Sequence, residues 1–131
     1  MRALVLLAFA GAGWAHFTLE YPNSTNANAD LSKENIPPCG GFNPNFNGVV
    51  SNFSVHGDWI QVNTHHPEAT FRFRVATIEN TTWIDLNEAV SEVGIGTFCM
   101  KSGPAPGNFT GKTGVLQVIG NGADGALFEV N

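Results

Sequence analysis

Residues Thr70–Thr77 alternate without a break. Phe71, Phe73 and Val75 are apolar, and Thr70, Arg72 and Arg74 stand between them. A period of two sends the first set to one face of an extended chain and the second set to the other. Such a run buries its aromatics only as a strand with one face in a core. The same phase turns Ile60 and Val62 inward. Further short runs of β-branched and aromatic residues fall between Gly, Asn, Thr and Pro. They predict strands at His16–Tyr21, Val49–Val55, Trp59–Thr64, Thr70–Thr77, Thr97–Met100, Val115–Ile119 and Ala126–Val130. No repeat or heptad pattern is visible. The fold class that fits is an all-β sandwich. Residues 22–48 lack periodicity, are rich in Asn and Pro, and predict a long irregular loop. A short helical turn is expected around Leu86–Glu92, ended by Gly94 and Gly96.

The first 15 residues do not belong to that sandwich. Met1-Arg2 is a short positive start, Ala3–Ala12 is apolar, and Gly13-Trp14-Ala15 offers small residues where a signal peptidase looks. Residues 1–15 are therefore read as a secretory signal peptide, with cleavage before His16. Residues 16–131 remain, enough for one domain. The apolar run is too short to span a bilayer. Arg2 leaves with the leader, so 5 basic residues face 11 acidic ones. That balance argues against nucleic acid and anionic membrane as partners.

Export sets the chemistry of the rest. Cys39 and Cys99 are the two cysteines. In an oxidising compartment they are expected to pair and to tether the long loop, with a stabilisation of about 4 kcal/mol on the chain-entropy view. Sequons at Asn23, Asn52, Asn80 and Asn108 predict a glycosylated surface.

Cleavage before His16 would expose a residue with two nitrogens on one backbone unit, the α-amine and the ring Nδ1. Together they can chelate one metal ion. A second imidazole is offered by His65 or His66, which precede Pro67 at the turn between two expected strands. Pro67 holds His66 extended and stiffens the mount. Period two sends His65 and His66 to opposite faces, so one of them faces a shared metal; His66 is favoured and His65 is the alternative. The set is a histidine brace, and three nitrogens in tetragonal geometry favour Cu(II), one per chain. The amine has an ordinary pKa of about 7.7–8.0, so affinity should fall in acid. His56, beside Gly57-Asp58, reads as a surface turn histidine.

His16-Phe-Thr-Leu-Glu-Tyr-Pro22, Pro38-Cys-Gly-Gly41, His66-Pro67 and Gly96-Thr-Phe-Cys99 stand in that order along the chain. The sequence resembles a fungal family of secreted copper-binding proteins similar to lytic polysaccharide monooxygenases, which includes copper acquisition factors. The resemblance implies an immunoglobulin- or fibronectin III-like sandwich holding one copper through the N-terminal His, a His at the position of His65-His66, and an Asp. It implies copper uptake or homeostasis at the cell surface without polysaccharide cleavage. A membrane copper importer is then the expected partner and a monomer the expected state. Many members carry a glycosylphosphatidylinositol anchor after the domain. Members close with a Tyr-x-Cys-Ala-Asp segment, where this chain reads Leu127-Phe-Glu-Val-Asn131. The matching Asp would lie past Asn131, the native chain is expected to continue, and Asp124 is the nearest substitute.

Two other functions compete. A copper-dependent polysaccharide monooxygenase would use the same brace with an open coordination position. A metal-free adhesion domain would follow if cleavage did not expose His16. A serine hydrolase is unsupported, because no Gly-x-Ser-x-Gly elbow occurs.

Overall fold

The computed structural model describes residues 16–25, 30–43 and 50–131, the side chains of residues 80 and 81 excepted. The expected signal peptide, part of the expected long loop and Val49 of an expected strand lie outside the described residues. The fold is all-β. Among the described residues, eight strands run as β1 (Phe17–Tyr21), β2 (Trp59–Thr64), β3 (Glu68–Thr77), β4 (Asn80–Asp85), β5 (Val90–Val93), β6 (Gly96–Lys101), β7 (Gly114–Gly122) and β8 (Gly125–Val130). The described helical residues are two 3-10 turns, Leu31–Lys33 and Gly107–Phe109.

The strands form two antiparallel sheets. One has the order β1-β2-β6. The other has the order β4-β3-β7-β8, and β5 pairs with the start of β3, sharing that edge with β4. The alternation along β3 does what its sequence dictates: Phe71, Phe73 and Val75 are buried, and so are Ile60 and Val62 facing them from β2. Phe71 joins the layers, meeting Phe17 edge-on at 5.4 Å and Phe98 at 5.1 Å between ring centroids. Aromatic contacts of this kind add to the burial of their area.

Three expected local structures differ. Residues 50–55 form no strand; they line an irregular wall beside Ala105, Phe109 and Leu116. The helical turn expected at Leu86–Glu92 is a bend followed by β5, because Val90-Ser-Glu-Val can continue the antiparallel ladder on Glu68–Phe71. Strand β4 was absent from the expected set.

The cysteines are unpaired, which corrects the expected disulfide. Strand phase explains it. Phe98 and Met100 of β6 pack on the core, so Cys99 points outward from the β1-β2-β6 sheet, exposed, its Sγ 3.8 Å from Gln61 Oε1. Cys39 is buried with Val115 and Val130, packed on by Trp83, against the outer face of the other sheet. Both sheets stand between the two sulfurs. Burial pushes the Cys39 thiol up to about 11, which keeps it protonated and unreactive.

The loop is held without that link. Buried Gln117 donates to Pro38 O at 2.6 Å and accepts from Arg74 Nε at 2.8 Å. Phe128 N–H donates to Glu34 O at 2.8 Å. A Cβ on Gly40 would lie 2.6 Å from Phe128 O, so only glycine lets the loop approach β8 this closely. The loop thus wraps the β8 edge and delivers Glu34 to the end of the sandwich where β1 begins.

Candidate metal centre

His16 directly precedes β1. Its carbonyl accepts from His65 N–H at 2.9 Å, one step beyond the Phe17–Thr64 pair of the β1–β2 ladder. The start of β1 and the end of β2 therefore meet, and His16 lies beside the His65-His66-Pro67 turn. His65 is exposed. His66 is 3 % exposed, and its backbone N–H donates to Thr64 Oγ1 at 3.1 Å. Its ring lies flat against Gly122 at the end of β7: a Cβ there would stand 2.5 Å from Nδ1. His66 Nε2 faces Asp124 Oδ1 at 3.5 Å but makes no hydrogen bond. Asp124, in the β7–β8 turn, is 43 % exposed.

Across the site, His16 Nδ1 contacts Glu34 Oε2 at 2.8 Å. Glu34 is 2 % exposed, and its other oxygen, Oε1, is buried without a hydrogen-bond partner. Below it lies Glu129, in phase with Leu127 on the inward face of β8, whose Oε2 accepts from Leu19 N–H at 2.6 Å. The two carboxyls bond to each other. Burial pushes Glu34 up to about 7; the Glu129 hydrogen bond opposes that, and the Asp124 charge adds to it. Burial likewise pushes Glu129 up to about 7, against the pull of the Leu19 N–H and with the push of Glu34.

The sign of the resulting pH dependence follows. Both groups bind protons more tightly folded than at their ordinary value of 4.5. The folded state therefore holds more protons between pH 4.5 and about 7, and stability falls as pH rises through that window. Metal-free protein should melt at a higher temperature at pH 5 than at pH 8. The Glu129→Gln variant should flatten the difference in a calorimetric pH series; an unchanged slope would locate the proton uptake elsewhere.

Among the described residues, no three His, Cys, Asp or Glu side chains are already arranged around a metal position. A histidine brace needs only two side chains, because its third nitrogen is an N-terminal α-amine. The buried, unbonded Nε2 of His66 and the Gly122 surface that receives the ring suit a ligand imidazole. His56 lies in the turn before β2, at the other end of that strand from His65 and His66. Asn131, at the end of β8, bonds to Leu116 O and Asn23 O, remote from Gly122.

A family model described as copper acquisition factor BIM1-like matches residues 14–129. The chain belongs to the BIM1-like copper acquisition factor family. A curated relative, the lytic polysaccharide monooxygenase-like protein X325 of Yarrowia lipolytica, is 26 % identical over 142 residues, covering 98 % of this chain and 52 % of the relative. The chain thus spans about half the length of that relative. Membership matches the resemblance carried by His16-Phe-Thr-Leu, Pro-Cys-Gly-Gly and His66-Pro67.

Sequence reasoning named His16, His65, His66 and Asp124 at this end of the fold, and missed Glu34 and Glu129. Glu129 carries a readable signal, a charged residue in phase with Leu127. Glu34 carries none, since its position depends on how the loop closes on β8.

Proposed function

We propose that the protein, with residues 1–15 removed, captures one Cu(II) ion through the α-amine and Nδ1 of His16 and Nε2 of His66. It would do so outside the cell, for copper acquisition or homeostasis at the fungal surface, as a glycosylated monomer with an immunoglobulin- or fibronectin III-like sandwich. The observation that carries this reading is that the His16 backbone bonds to His65, next to the buried His66 whose Nε2 has no hydrogen bond. Family membership supports copper as the ion. The three exposed described sequons, Asn23, Asn52 and Asn108, are open to glycosylation. No helix among the described residues is long and apolar enough to cross a membrane; attachment by a lipid anchor and delivery to a membrane copper importer belong to the same proposal.

Carriage is favoured over oxidation on two grounds. An oxygen-activating centre needs an open coordination position, and this site is crowded with carboxylates. A polysaccharide oxidase also presents aromatic side chains around its metal. Here Trp59, 57 % exposed, begins β2 and Tyr21 ends β1, both at the opposite ends of those strands from the histidines. Copper-loaded protein incubated with reductant, peroxide and a panel of polysaccharides should release no oxidised oligosaccharides by mass spectrometry. Their appearance would overturn the carrier reading in favour of a monooxygenase.

A further inference from the structure

We propose that Glu34 supplies a carboxylate ligand to the same metal ion. The inference rests on the brace reading and adds a residue to it. The distance is the first argument. Two donors each about 2.0 Å from a metal ion and at right angles to one another are about 2.8 Å apart. Glu34 Oε2 and His16 Nδ1 stand 2.8 Å apart. That is a hydrogen-bond length, and it puts the carboxylate oxygen within reach of an ion held on that nitrogen.

The second argument is exclusion. A brace needs Nδ1 of His16, so the hydrogen bond between that atom and Glu34 cannot persist once the metal is bound. Glu34 would then be a buried carboxylate without its imidazole neighbour, and its Oε1 already has no hydrogen-bond partner. Leaving such a group unpaired costs several kcal/mol, and a dication beside it removes that cost.

The third argument is placement. Glu34 sits where the 3-10 turn Leu31–Lys33 ends, its N–H bonded to Leu31 O and its carbonyl to Phe128 N–H. A Cβ on Gly40 would lie 3.5 Å from Glu34 Cα. Glu129 backs the side chain from β8 and is itself held by Leu19 N–H. Glu34 is thus the carboxyl that touches the imidazole, with the Glu129 carboxyl fixed behind it. Asp124 is a weaker candidate for the role, being half-exposed and 3.5 Å from His66. A hard carboxylate in the shell would favour Cu(II) over Cu(I).

The test uses protein with His16 at its N-terminus, titrated with Cu(II) by competition against a chelator and followed by electron paramagnetic resonance. Glu34→Gln should raise Kd about a hundredfold, at or above the top of the range for losing a supporting residue, and should shift the parallel g and copper hyperfine values. Asp124→Asn should change Kd by less than about tenfold. A measurement without substitution guards against a misfolded variant. Wild-type protein labelled with 13C at the glutamate carboxyls should show 13C coupling to copper by electron–nuclear double resonance. If wild type binds Cu(II) and neither Glu34→Gln nor the label perturbs the spectrum, the Glu34 assignment fails and the brace stands. If wild type binds no Cu(II), both fail.

Discussion

One extra residue ahead of His16 will dismantle the brace and weaken Cu(II) binding while leaving the fold intact. The extension converts the α-amine into an amide. An amide nitrogen donates to a metal only after losing a far less acidic proton, whereas an amine with a pKa of about 8 gives up its proton readily to a bound cation. The five-atom reach between amine and Nδ1 is lost with it, and His16 becomes a one-point ligand. His16→Ala removes the other half of the same chelate and should have the same result. Both losses should exceed the roughly 10–100-fold seen when a supporting residue is removed. The fold should not respond, because His16 lies outside β1 and the apolar anchor of that strand is Phe17, fully buried against Phe71. Competition titration of the extended and native-start proteins, each checked by circular dichroism, decides the point. Equal Kd values would remove the brace and return the chain to a metal-free sandwich.

The same comparison bears on how the sequence encodes the site. Period two is robust where one face is fully buried, so Trp59–Thr64 and the centre of β3 were legible residue by residue. It fails where a strand covers only an edge. β4 and β5 are short, their described side chains are at most partly buried, and both pair with β3. Val50–Val55 shows the converse. Its apolar residues suggest a strand, yet Phe53 packs on the core, Val50 is exposed, and the segment lines a cavity with Ala105 and Phe109.

Cysteine parity misled for a related reason. An even count in an exported chain favours a bond, but the phase of Cys99 with Thr97 and Lys101 already pointed it outward, away from any residue on the opposite sheet. For the site, His16 and the His65-His66-Pro67 turn were legible because strand ends fix them. Asp124 was legible as a turn residue and not as a neighbour of His66. Glu34 reaches His16 across 18 residues of aperiodic chain, a distance that local pattern does not encode.

His66 offers the second large effect, and Gly122 makes it testable without touching a ligand. His66→Ala should weaken Cu(II) binding by more than about a hundredfold. His65→Ala, at an exposed ring, should cost only a few-fold, and His56→Ala should cost nothing measurable, since His56 lies in the turn at the other end of β2. Gly122→Ala leaves every ligand in place. Its new methyl would stand 2.5 Å from His66 Nδ1 and 2.7 Å from Cε1, closer than any real Cβ contact, so the ring must swing away from β7. A displacement on the order of 1 Å at a metal ligand is enough to cost tenfold or more. Gly122→Ala should therefore reproduce much of the His66→Ala loss, whereas Gly125→Ala, three residues on with open space at its Cβ, strains only its own backbone. The ordering His66→Ala, Gly122→Ala, His65→Ala, His56→Ala in decreasing loss is what a buried imidazole pressed onto a glycine requires. A larger loss for His65→Ala than for His66→Ala would move the second ligand to the exposed ring and leave the contact with Gly122 a matter of packing alone.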